Sequence, residues 1–248
     1  MRESKSPSVK KRIAVVANTT WNIYNFRQNI LRKLISEGHE VIVMAPVDTF
    51  ITYTESIREV THVPIRYLDR DSVNPFQDLL LLLELIRLYR KHKPDLVLHY
   101  TIKPNIYGGM ASRLLRIPSV AVITGLGYSL IHEGWLNVIT RFLYNMALPL
   151  HRKVVFENTD DKAMFEKAGL VSPSKSLSIK GCGVNTTWYS PNGDGRTKGM
   201  ITFTFIGRLL YDKGVREFIE AAQIVKRQNE NVQFWLIGEI DKENPSSV

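Results

Sequence analysis

The sequence has little of what secreted and membrane-spanning proteins require. Cys182 is its single cysteine, so no intrachain disulfide can form, which fits a reducing compartment such as the cytosol. The start of the chain is basic, but the apolar stretch that follows, residues 13–17, is far too short for the hydrophobic region of a signal peptide. The longest apolar run, residues 79–86, is interrupted by Glu84 and is well below the ~20 residues of a spanning helix. We therefore expect a cytoplasmic protein that is either soluble or peripheral at a membrane.

The charge of the chain is unevenly distributed. The net charge is +9, and residues 1–195 carry +8 of it, with 25 Lys/Arg against 17 Asp/Glu, whereas residues 196–248 hold 8 against 7. Such an excess attracts anionic partners, for example a membrane surface, a lipid phosphate or nucleic acid, but it also occurs on surfaces that serve only solubility. No nucleic-acid-binding module is recognisable among the basic residues, so nucleic acid is not an expected partner.

Apolar segments rich in β-branched residues alternate with amphipathic helical patterns. Strands are predicted at residues 12–18, 39–46, 63–69, 94–100, 117–125 and 153–158, and helices at residues 26–38 and 75–93, within 135–151, and at 160–170. Near-continuous apolar strands between helices are typical of a parallel sheet that is covered on both faces. The predicted fold class is therefore α/β, with a doubly wound parallel sheet.

A dense cluster of Gly, Pro, Asn and charged residues at 190–199 predicts a linker. It separates a basic tail (1–11) and a first Rossmann-like domain (12–189) from a second domain that begins at residue 200. After the linker the pattern shows only a strand, a helix and another strand, up to residue 248. About 50 residues do not close a doubly wound domain, which needs on the order of 100–150. We expect the second domain to be incomplete, so that the sequence is a fragment or a truncated gene product.

The segment FTFIGRLLYDKGV, residues 203–215, joins a buried-looking strand to an amphipathic helix. In a parallel sheet such a loop lies at the carboxyl end of the strand, where the next helix points the positive end of its dipole at a ligand. Gly207 allows close approach of the backbone, Arg208 offers a planar fork for two phosphate oxygens, and Lys213 adds a second cation. The spacing is not that of a P-loop. The loop predicts an anion site, and ordinary surface cations are the alternative.

Seven segments in order carry a resemblance to a known family. They are RIAVVANTTWNIYNFRQNIL, HYTIKPNIYGG, VITGLGY, VVFENTDDKAMFEKAGL, IKGCGVN, FIGRLLYDKGVREFIEAA and WLIGEIDKENP. Together they resemble family 4 glycosyltransferases of the GT-B fold, which consists of two Rossmann-like domains. Within that family the chain looks most like bacterial enzymes that extend undecaprenyl-diphosphate-linked saccharides with N-acetylgalactosamine or galactose.

The resemblance implies an activity. A hexose or N-acetylhexosamine would pass from a UDP-sugar to a lipid-linked saccharide acceptor with retention of configuration, in surface polysaccharide or glycan biosynthesis. It implies no cofactor and no metal, and a cytoplasmic protein that is peripheral on the inner face of the plasma membrane. No catalytic residue is assigned, since retaining enzymes of this fold are often described as using the leaving phosphate oxygen to take the acceptor proton.

The resemblance also implies site residues. Gly207, Arg208 and Lys213 match the donor diphosphate site. The cleft for donor and acceptor is matched by six residues, namely Asn18, Thr19, His99, Lys103, Thr124 and Gly125. The chain departs from many relatives at two places, because Asn18-Thr19-Thr20 stands where they have glycines and Thr124 where they have a histidine.

Several of these residues have a second interpretation. Asn18 or Thr19 could cap the turn that follows, Asn158 could be the N-cap of a helix, and His99 could be a buried core histidine. Two helices with basic ends, around residues 75–93 and 135–153, are predicted either to pack on the sheet or to lie at an anionic membrane surface.

Two other functions stay open at this point. The chain could be a non-catalytic remnant that binds a membrane or an acceptor. It could also be another enzyme of the same fold, such as a UDP-sugar epimerase.

Overall fold

A computed structural model describes residues 9–70, 72–191, 199–241 and 246–248. The chain divides into two compact units, Met1–Thr186 and Thr187–Val248. Most of the predicted tail (1–11) and of the predicted linker (190–199) lies outside the described residues, so these boundaries stay predictions.

Unit 1 is built on a sheet of seven strands that all pair in parallel. The strands are β1 (Arg12–Val16), β2 (Glu40–Ala45), β3 (Val60–Pro64), β4 (Leu96–Tyr100), β5 (Ser119–Ile123), β6 (Lys153–Phe156) and β7 (Ser176–Ser178). Their order across the sheet is β3-β2-β1-β4-β5-β6-β7. The central strands are buried on both faces, as their unbroken apolar sequences predict, and the α/β class is confirmed.

Helices cover both faces of this sheet. They are α1 (Thr20–Phe26), α2 (Gln28–Ser36), α3 (Tyr53–Ser56), α4 (Pro75–His92), α5 (Gly109–Leu114), α6 (Tyr128–Ile131), α7 (Trp135–Ala147) and α8 (Thr159–Lys167). One face packs against the first three through Ile23, Leu31 and Tyr53. The other face packs against α4 through Leu85 and against α7 through Tyr144. None of the described helices combines the length and the apolar character that crossing a membrane requires.

The helix predicted at residues 26–38 is α2, Gln28–Ser36, and the helix before it, α1, was not predicted. Arg27 separates the two helices with φ −117° and ψ −5°, and its side chain is buried. In contrast, α4 has the ends that its sequence predicts. Asn74 caps it, Pro75 opens it, and its last turn is basic, which suits the negative end of the helix dipole.

The described residues of unit 2 form two parallel strands and one helix, namely β8 (Ile201–Ile206), α9 (Val215–Gln228) and β9 (Val232–Ile237). A short 3-10 turn, Tyr211–Lys213, precedes the helix, and Leu210 forms an antiparallel bridge with Ser247. Phe203, Phe218 and Phe234 pack together between sheet and helix.

Candidate functional site

Five loops of unit 1 leave the sheet at the same edge, because parallel strands all end on one side. They follow β1, β2, β4, β5 and β6, at residues 17–19, 46–48, 101–103, 124–127 and 157–158. The carboxyl edge of a parallel sheet is where ligands bind in doubly wound folds. This edge gathers Asn18, Thr19, Lys103, Thr124 and Gly125 from the sequence-predicted site.

The loop after β1 is tied to the loop after β2. Thr19 caps α1, since its Oγ1 accepts a hydrogen bond from the backbone N–H of Asn22 at 3.1 Å. The Thr20 hydroxyl donates to Asp48, which also accepts from the backbone N–H of Trp21 at 3.1 Å and of Phe50 at 2.8 Å. Burial alone would raise the pKa of Asp48, but these hydrogen bonds outweigh it and lower that pKa. Thr19 therefore has a capping role, and Asn18 beside it is partly exposed.

A buried ion pair connects the start of α2 to the end of β6. Arg27 Nη1 lies 2.8 Å from Glu157 Oε1, and the two side chains are 5% and 15% exposed. The guanidinium also stacks 4.2 Å from the ring centroid of Tyr100, at the end of β4, and its Nε donates to Asn22. Sequence reasoning did not assign Arg27 to the site. The sequence signal that could have indicated its role was the position of this arginine within an otherwise amphipathic helical pattern.

His99 lies in the core and not in the cleft, contrary to one sequence prediction. It is 0% exposed, and its Nε2 is hydrogen-bonded to the hydroxyl of Tyr89 at 2.8 Å. Burial, together with the nearby His151 ring at 5.3 Å, holds the pKa of His99 well below its ordinary value. A neutral, enclosed imidazole is not available to a sugar. The alternative interpretation, that His99 is a buried core histidine, agrees with its position in the structure.

The glycine pair in the KPNIYGG segment has a packing role. A Cβ on Gly108 would come within 2.3 Å of the His99 ring, and one on Gly109 within 2.4 Å of the His151 ring. His151 bridges the carbonyl of Asn105 at 2.8 Å and the hydroxyl of Ser119 at 2.9 Å. Burial lowers the pKa of His151 to about 4. Both glycines allow the segment after β4 to pack on the two imidazoles.

Lys103 follows β4 and is held in an ion pair. Its Nζ lies 2.7 Å from Asp78 Oδ1 in the first turn of α4, and the side chains are 12% and 15% exposed. The Tyr107 hydroxyl donates to the other oxygen of Asp78 at 2.8 Å. Two residues earlier, Thr101 has a left-handed backbone with φ 73°, which is rare for a β-branched residue. The ion pair and the Tyr107 hydrogen bond therefore connect the segment after β4 to the first turn of α4.

The loop after β5 contains two glycines with left-handed backbones. Gly125 has φ 137° and Gly127 has φ 67°, so neither position suits a side chain. A Cβ on Gly125 would meet no atom within 4 Å, which shows that the loop faces open space there. Thr124 precedes it and is partly exposed. Thr124 and Gly125 thus present a hydroxyl and backbone groups at the carboxyl edge.

In unit 2 the loop after β8 is held against the end of β9. A Cβ on Gly238 would lie 1.7 Å from the carbonyl oxygen of Gly207, so the two backbones pack in direct contact. Arg208 follows and is half exposed, with Nη1 2.6 Å from Asp241 Oδ2. Lys213 is exposed at the end of the 3-10 turn, directly before the left-handed Gly214 and α9. Both predicted cations therefore belong to one strand-to-helix loop. Within the described residues, no three His, Cys, Asp or Glu side chains are grouped so as to hold a metal ion.

Comparison with curated proteins finds bacterial relatives, including two transferases that act on undecaprenol-linked saccharides. The chain is 29% identical over 252 residues to N,N'-diacetylbacillosaminyl-diphospho-undecaprenol alpha-1,3-N-acetylgalactosaminyltransferase of Campylobacter jejuni, covering 95% of this chain and 65% of that protein. It is 26% identical over 168 residues to UDP-Gal:alpha-D-GlcNAc-diphosphoundecaprenol alpha-1,3-galactosyltransferase of Escherichia coli, covering 64% and 43%. The chain spans less than two thirds of the length of either relative.

Solved structures share the fold. Anabaena HepE in complex with UDP and glucose superposes with a TM-score of 0.68 at 16% identity, over 92% of this chain and 61% of that one. A UDP-N-acetylglucosamine 2-epimerase superposes with a TM-score of 0.59 at 14% identity, over 91% and 63%. These likenesses confirm the GT-B fold class.

A comparison with protein families matches residues 12–158 to one of them, described as glycosyl transferase 4-like. The matched segment includes every strand from β1 to β6 and all five loops at the carboxyl edge of unit 1. Because it covers more than half of the chain, this chain belongs to the glycosyl transferase 4-like family.

Proposed function

We propose that the chain is part of a glycosyltransferase that moves a hexose or N-acetylhexosamine from a UDP-sugar to an undecaprenyl-diphosphate-linked saccharide, with retention of configuration. The product would be a longer lipid-linked glycan for a surface polysaccharide or a related glycan. Family membership supports the reaction class. The names of the two curated relatives support the donor and the acceptor, since one names a UDP-sugar and both name undecaprenol-linked saccharides.

The observation that carries the proposal is the Gly207–Arg208 loop of unit 2. The backbone contact with Gly238 fixes the loop, and Arg208 is left half exposed at the carboxyl end of β8. Its partner there is Asp241, whose side chain is only 14% exposed, so the pair is open to solvent on the arginine side. A diphosphate carries more charge and can accept two parallel hydrogen bonds from a guanidinium. The exposed side of the Arg208 guanidinium is therefore the proposed contact for the diphosphate.

In the proposed reaction, Arg208 and Lys213 act on the leaving group. Negative charge develops on the UDP diphosphate as the bond to the sugar breaks, and fixed cations stabilise that charge most when it is fully formed. The leaving phosphate oxygen takes the proton of the acceptor hydroxyl. This assignment needs no general base from the protein, and we assign none.

Unit 1 is proposed to supply the acceptor side and some contacts to the transferred sugar. Asn18, Thr124 and Gly125 offer hydrogen-bonding groups at the carboxyl edge, and Thr19 contributes by capping α1. Lys103 would meet the diphosphate of the acceptor, with Asp78 holding its ammonium in place beforehand. His99 is not included, because it is enclosed in the core.

The proposed place of action is the cytoplasmic face of the plasma membrane, with the protein bound peripherally. A lipid-linked acceptor is presented at a membrane surface, and the chain carries a net charge of +9 that favours anionic lipids.

A UDP-sugar epimerase is the second candidate, because a UDP-N-acetylglucosamine 2-epimerase shares the fold. The two functions differ in their need for an acceptor. An epimerase converts a UDP-sugar alone, whereas the proposed transferase releases UDP at a useful rate only with a lipid-linked saccharide present. Incubation of UDP-N-acetylglucosamine with the chain, followed by chromatography of the nucleotide sugars, separates them.

The proposal is tested by calorimetric titration of the 248-residue chain with UDP and a panel of UDP-sugars. We expect saturable binding that Arg208→Ala weakens about tenfold or more, since a hydrogen-bonded charge is lost. The matched control is Arg227→Ala, because Arg227 is an exposed arginine in the last turn of α9, at the opposite end of that helix. Absence of UDP binding in a folded sample, or equal weakening by both variants, would refute the proposed donor site.

A further inference from the structure

The outer face of α7 carries a continuous apolar stripe. Five residues lie at positions i, i+3, i+4, i+7 and i+11 of the helix, each between 45% and 67% exposed, namely Trp135, Val138, Ile139, Phe142 and Met146. Spacing of this kind places them on one side of a helix. The opposite side is occupied by the buried residues Thr140, Tyr144 and Ala147. The helix therefore packs on the sheet through one face and exposes a second apolar face, which a soluble monomer rarely leaves uncovered.

The charges within residues 135–153 have one sign, and the exposed Glu133 lies just before this range. Residues 135–153 contain no Asp or Glu, and their three Lys/Arg residues are exposed, namely Arg141, Arg152 and Lys153. Apolar and aromatic side chains flanked by cations match the chemistry of an anionic lipid surface. There the rings lie at headgroup depth and the cations meet phosphates.

A second helix with the same character lies on the same face of the sheet. The register shows this, because Val16 under α4 and Ala121 under α7 both pair with His99 of β4, and paired residues point to the same side. The outer side of α4 is apolar in its first half, with Phe76, Leu79 and Leu83 exposed. It is basic in its second half, with Arg87, Arg90 and Lys91 exposed.

A groove of about 490 Å³ runs beside α4 on this face. Its walls are apolar at Leu80 and Leu83, and the side chains of Arg87 and Lys91 line it further along. The carboxylate of Glu84, the acidic residue in the groove, accepts backbone hydrogen bonds at 3.0–3.1 Å from residues 66 and 67. The groove thus combines apolar walls with cations, as the headgroup region of an anionic lipid requires.

We propose that the layer formed by α4 and α7 is the surface through which unit 1 docks on an anionic lipid bilayer, with the α7 stripe lying at headgroup depth. The inference rests on the proposed function, because a lipid-linked acceptor brings the enzyme to a membrane. It goes further by naming the face that makes the contact.

The test is co-sedimentation of the 248-residue chain with vesicles of phosphatidylcholine, with and without 30% phosphatidylglycerol, at about 0.1 M salt, where surface charges still interact over roughly 10 Å. We expect the chain to partition onto the anionic vesicles and Phe142→Glu to lower this partitioning about tenfold or more. The variant loses an aromatic side chain that would be buried in the bilayer, and its negative charge is repelled by the anionic lipids. The control is Ile224→Glu in unit 2, an apolar helix residue with a similar exposure, 58% against 61%. This control should leave partitioning unchanged.

Three outcomes would overturn the inference. The chain could fail to bind anionic vesicles, or Phe142→Glu and Ile224→Glu could have equal effects. Size-exclusion chromatography could instead show a dimer that Phe142→Glu dissociates, which would assign the face to a second copy of the chain. UDP titration of the same samples keeps the two proposals apart. If vesicle binding fails while UDP affinity is unchanged, only the membrane-docking proposal is refuted. If UDP binding fails while vesicle binding is normal, only the proposed donor site is refuted.

Discussion

Arg27 and Glu157 lie 130 residues apart in the sequence, and their side chains meet at 2.8 Å at the carboxyl edge of the sheet. The pair is enclosed, with 5% and 15% of the side chains exposed. It joins the α1–α2 junction to the end of β6, and Tyr100 stacks on the guanidinium between them. The pair therefore fixes the relative position of loops that the proposed function assigns to the acceptor side.

Removing the charge of Glu157 should destabilise unit 1 strongly. Glu157→Gln leaves the Arg27 guanidinium buried without a counter-charge, and breaking a buried pair costs about 3–5 kcal/mol. The measurement is the free energy of unfolding from urea denaturation. The control is Glu40→Gln, because Glu40 also accepts from an arginine at 2.8 Å but in a pair that is 37% and 40% exposed. Its loss should cost less than about 1 kcal/mol. Equal costs for the two variants would contradict the role assigned to Arg27 and Glu157.

Gly108→Ala should be much more harmful than Gly38→Ala. A Cβ at Gly108 collides with the His99 ring at 2.3 Å, and overpacking of this kind costs about 1–3 kcal/mol or more. At Gly38 a Cβ meets nothing within 4 Å, and only the left-handed backbone (φ 86°) opposes alanine, at a cost of roughly 1 kcal/mol. Thermal unfolding of both variants checks the difference. A second readout is near-ultraviolet circular dichroism, which should change for Gly108→Ala as the His99 and Tyr89 rings move.

Stability should fall as the pH drops below about 6.5. Burial lowers the pKa of His99 well below its ordinary value and that of His151 to about 4, so the unfolded chain binds protons that the folded chain does not. The contribution is complete above the unfolded pKa of 6.5 and is lost as the pH falls from 6.5 towards 4. Each histidine adds a slope of up to about 1.4 kcal/mol per pH unit.

The check is urea denaturation at pH 7.5 and pH 5.5, where we expect His99→Gln to reduce the pH dependence. His132→Gln serves as the control, because His132 is a partly exposed residue outside the core. A pH dependence that is unchanged in His99→Gln would show that other groups cause it.

Gly238→Ala should disable the proposed donor site without touching its cations. The added Cβ would lie 1.7 Å from the Gly207 carbonyl, so the loop that carries Arg208 must move. We expect UDP affinity to fall about tenfold or more, as for the loss of Arg208 itself. Gly199→Ala is the control, because Gly199 is a unit 2 glycine beside which a Cβ meets no atom within 4 Å. Unchanged UDP affinity in Gly238→Ala would contradict the proposed contact between Arg208 and the UDP diphosphate.

Most strands of the unit 1 sheet and its long helices were predictable from the sequence, because local pattern determines them. The third strand was predicted at residues 63–69 but lies at Val60–Pro64, and β7 and the short helices α1, α3, α5 and α6 were not predicted. Apolar strands alternated with amphipathic segments, and helix ends such as Asn74-Pro75 carry their own signals. The pairing of Arg27 was missed, because its partner Glu157 lies 130 residues further along the chain. His99 was misplaced because both faces of the sheet are covered. In such a sheet a strand side chain can be buried in the core on either face. The sequence around β4 does not show whether His99 lies in the core or in the cleft.

The ion pair of Lys103 could not be predicted from the sequence either, because its partner is distant in the chain. Its ion pair with Asp78 spans 25 residues and depends on how α4 crosses the sheet. In contrast, Gly207, Arg208 and Lys213 were predicted as one strand-to-helix loop, and that geometry is local. Their role in binding a diphosphate stays a prediction.

The position of β1 in the sheet has a consequence for synthesis of the protein on the ribosome. Within this sheet, β1 is made before the other strands, and it lies in the interior of the sheet with β2 on one side and β4 on the other. Its backbone at Arg12 also donates to the Asp95 side chain at 2.7 Å, from 83 residues further on. At typical translation rates those residues take on the order of ten seconds to make. During that interval an apolar strand edge has no partner, so β1 should be protease-sensitive in chains stalled before β4 emerges and protected in chains stalled after it.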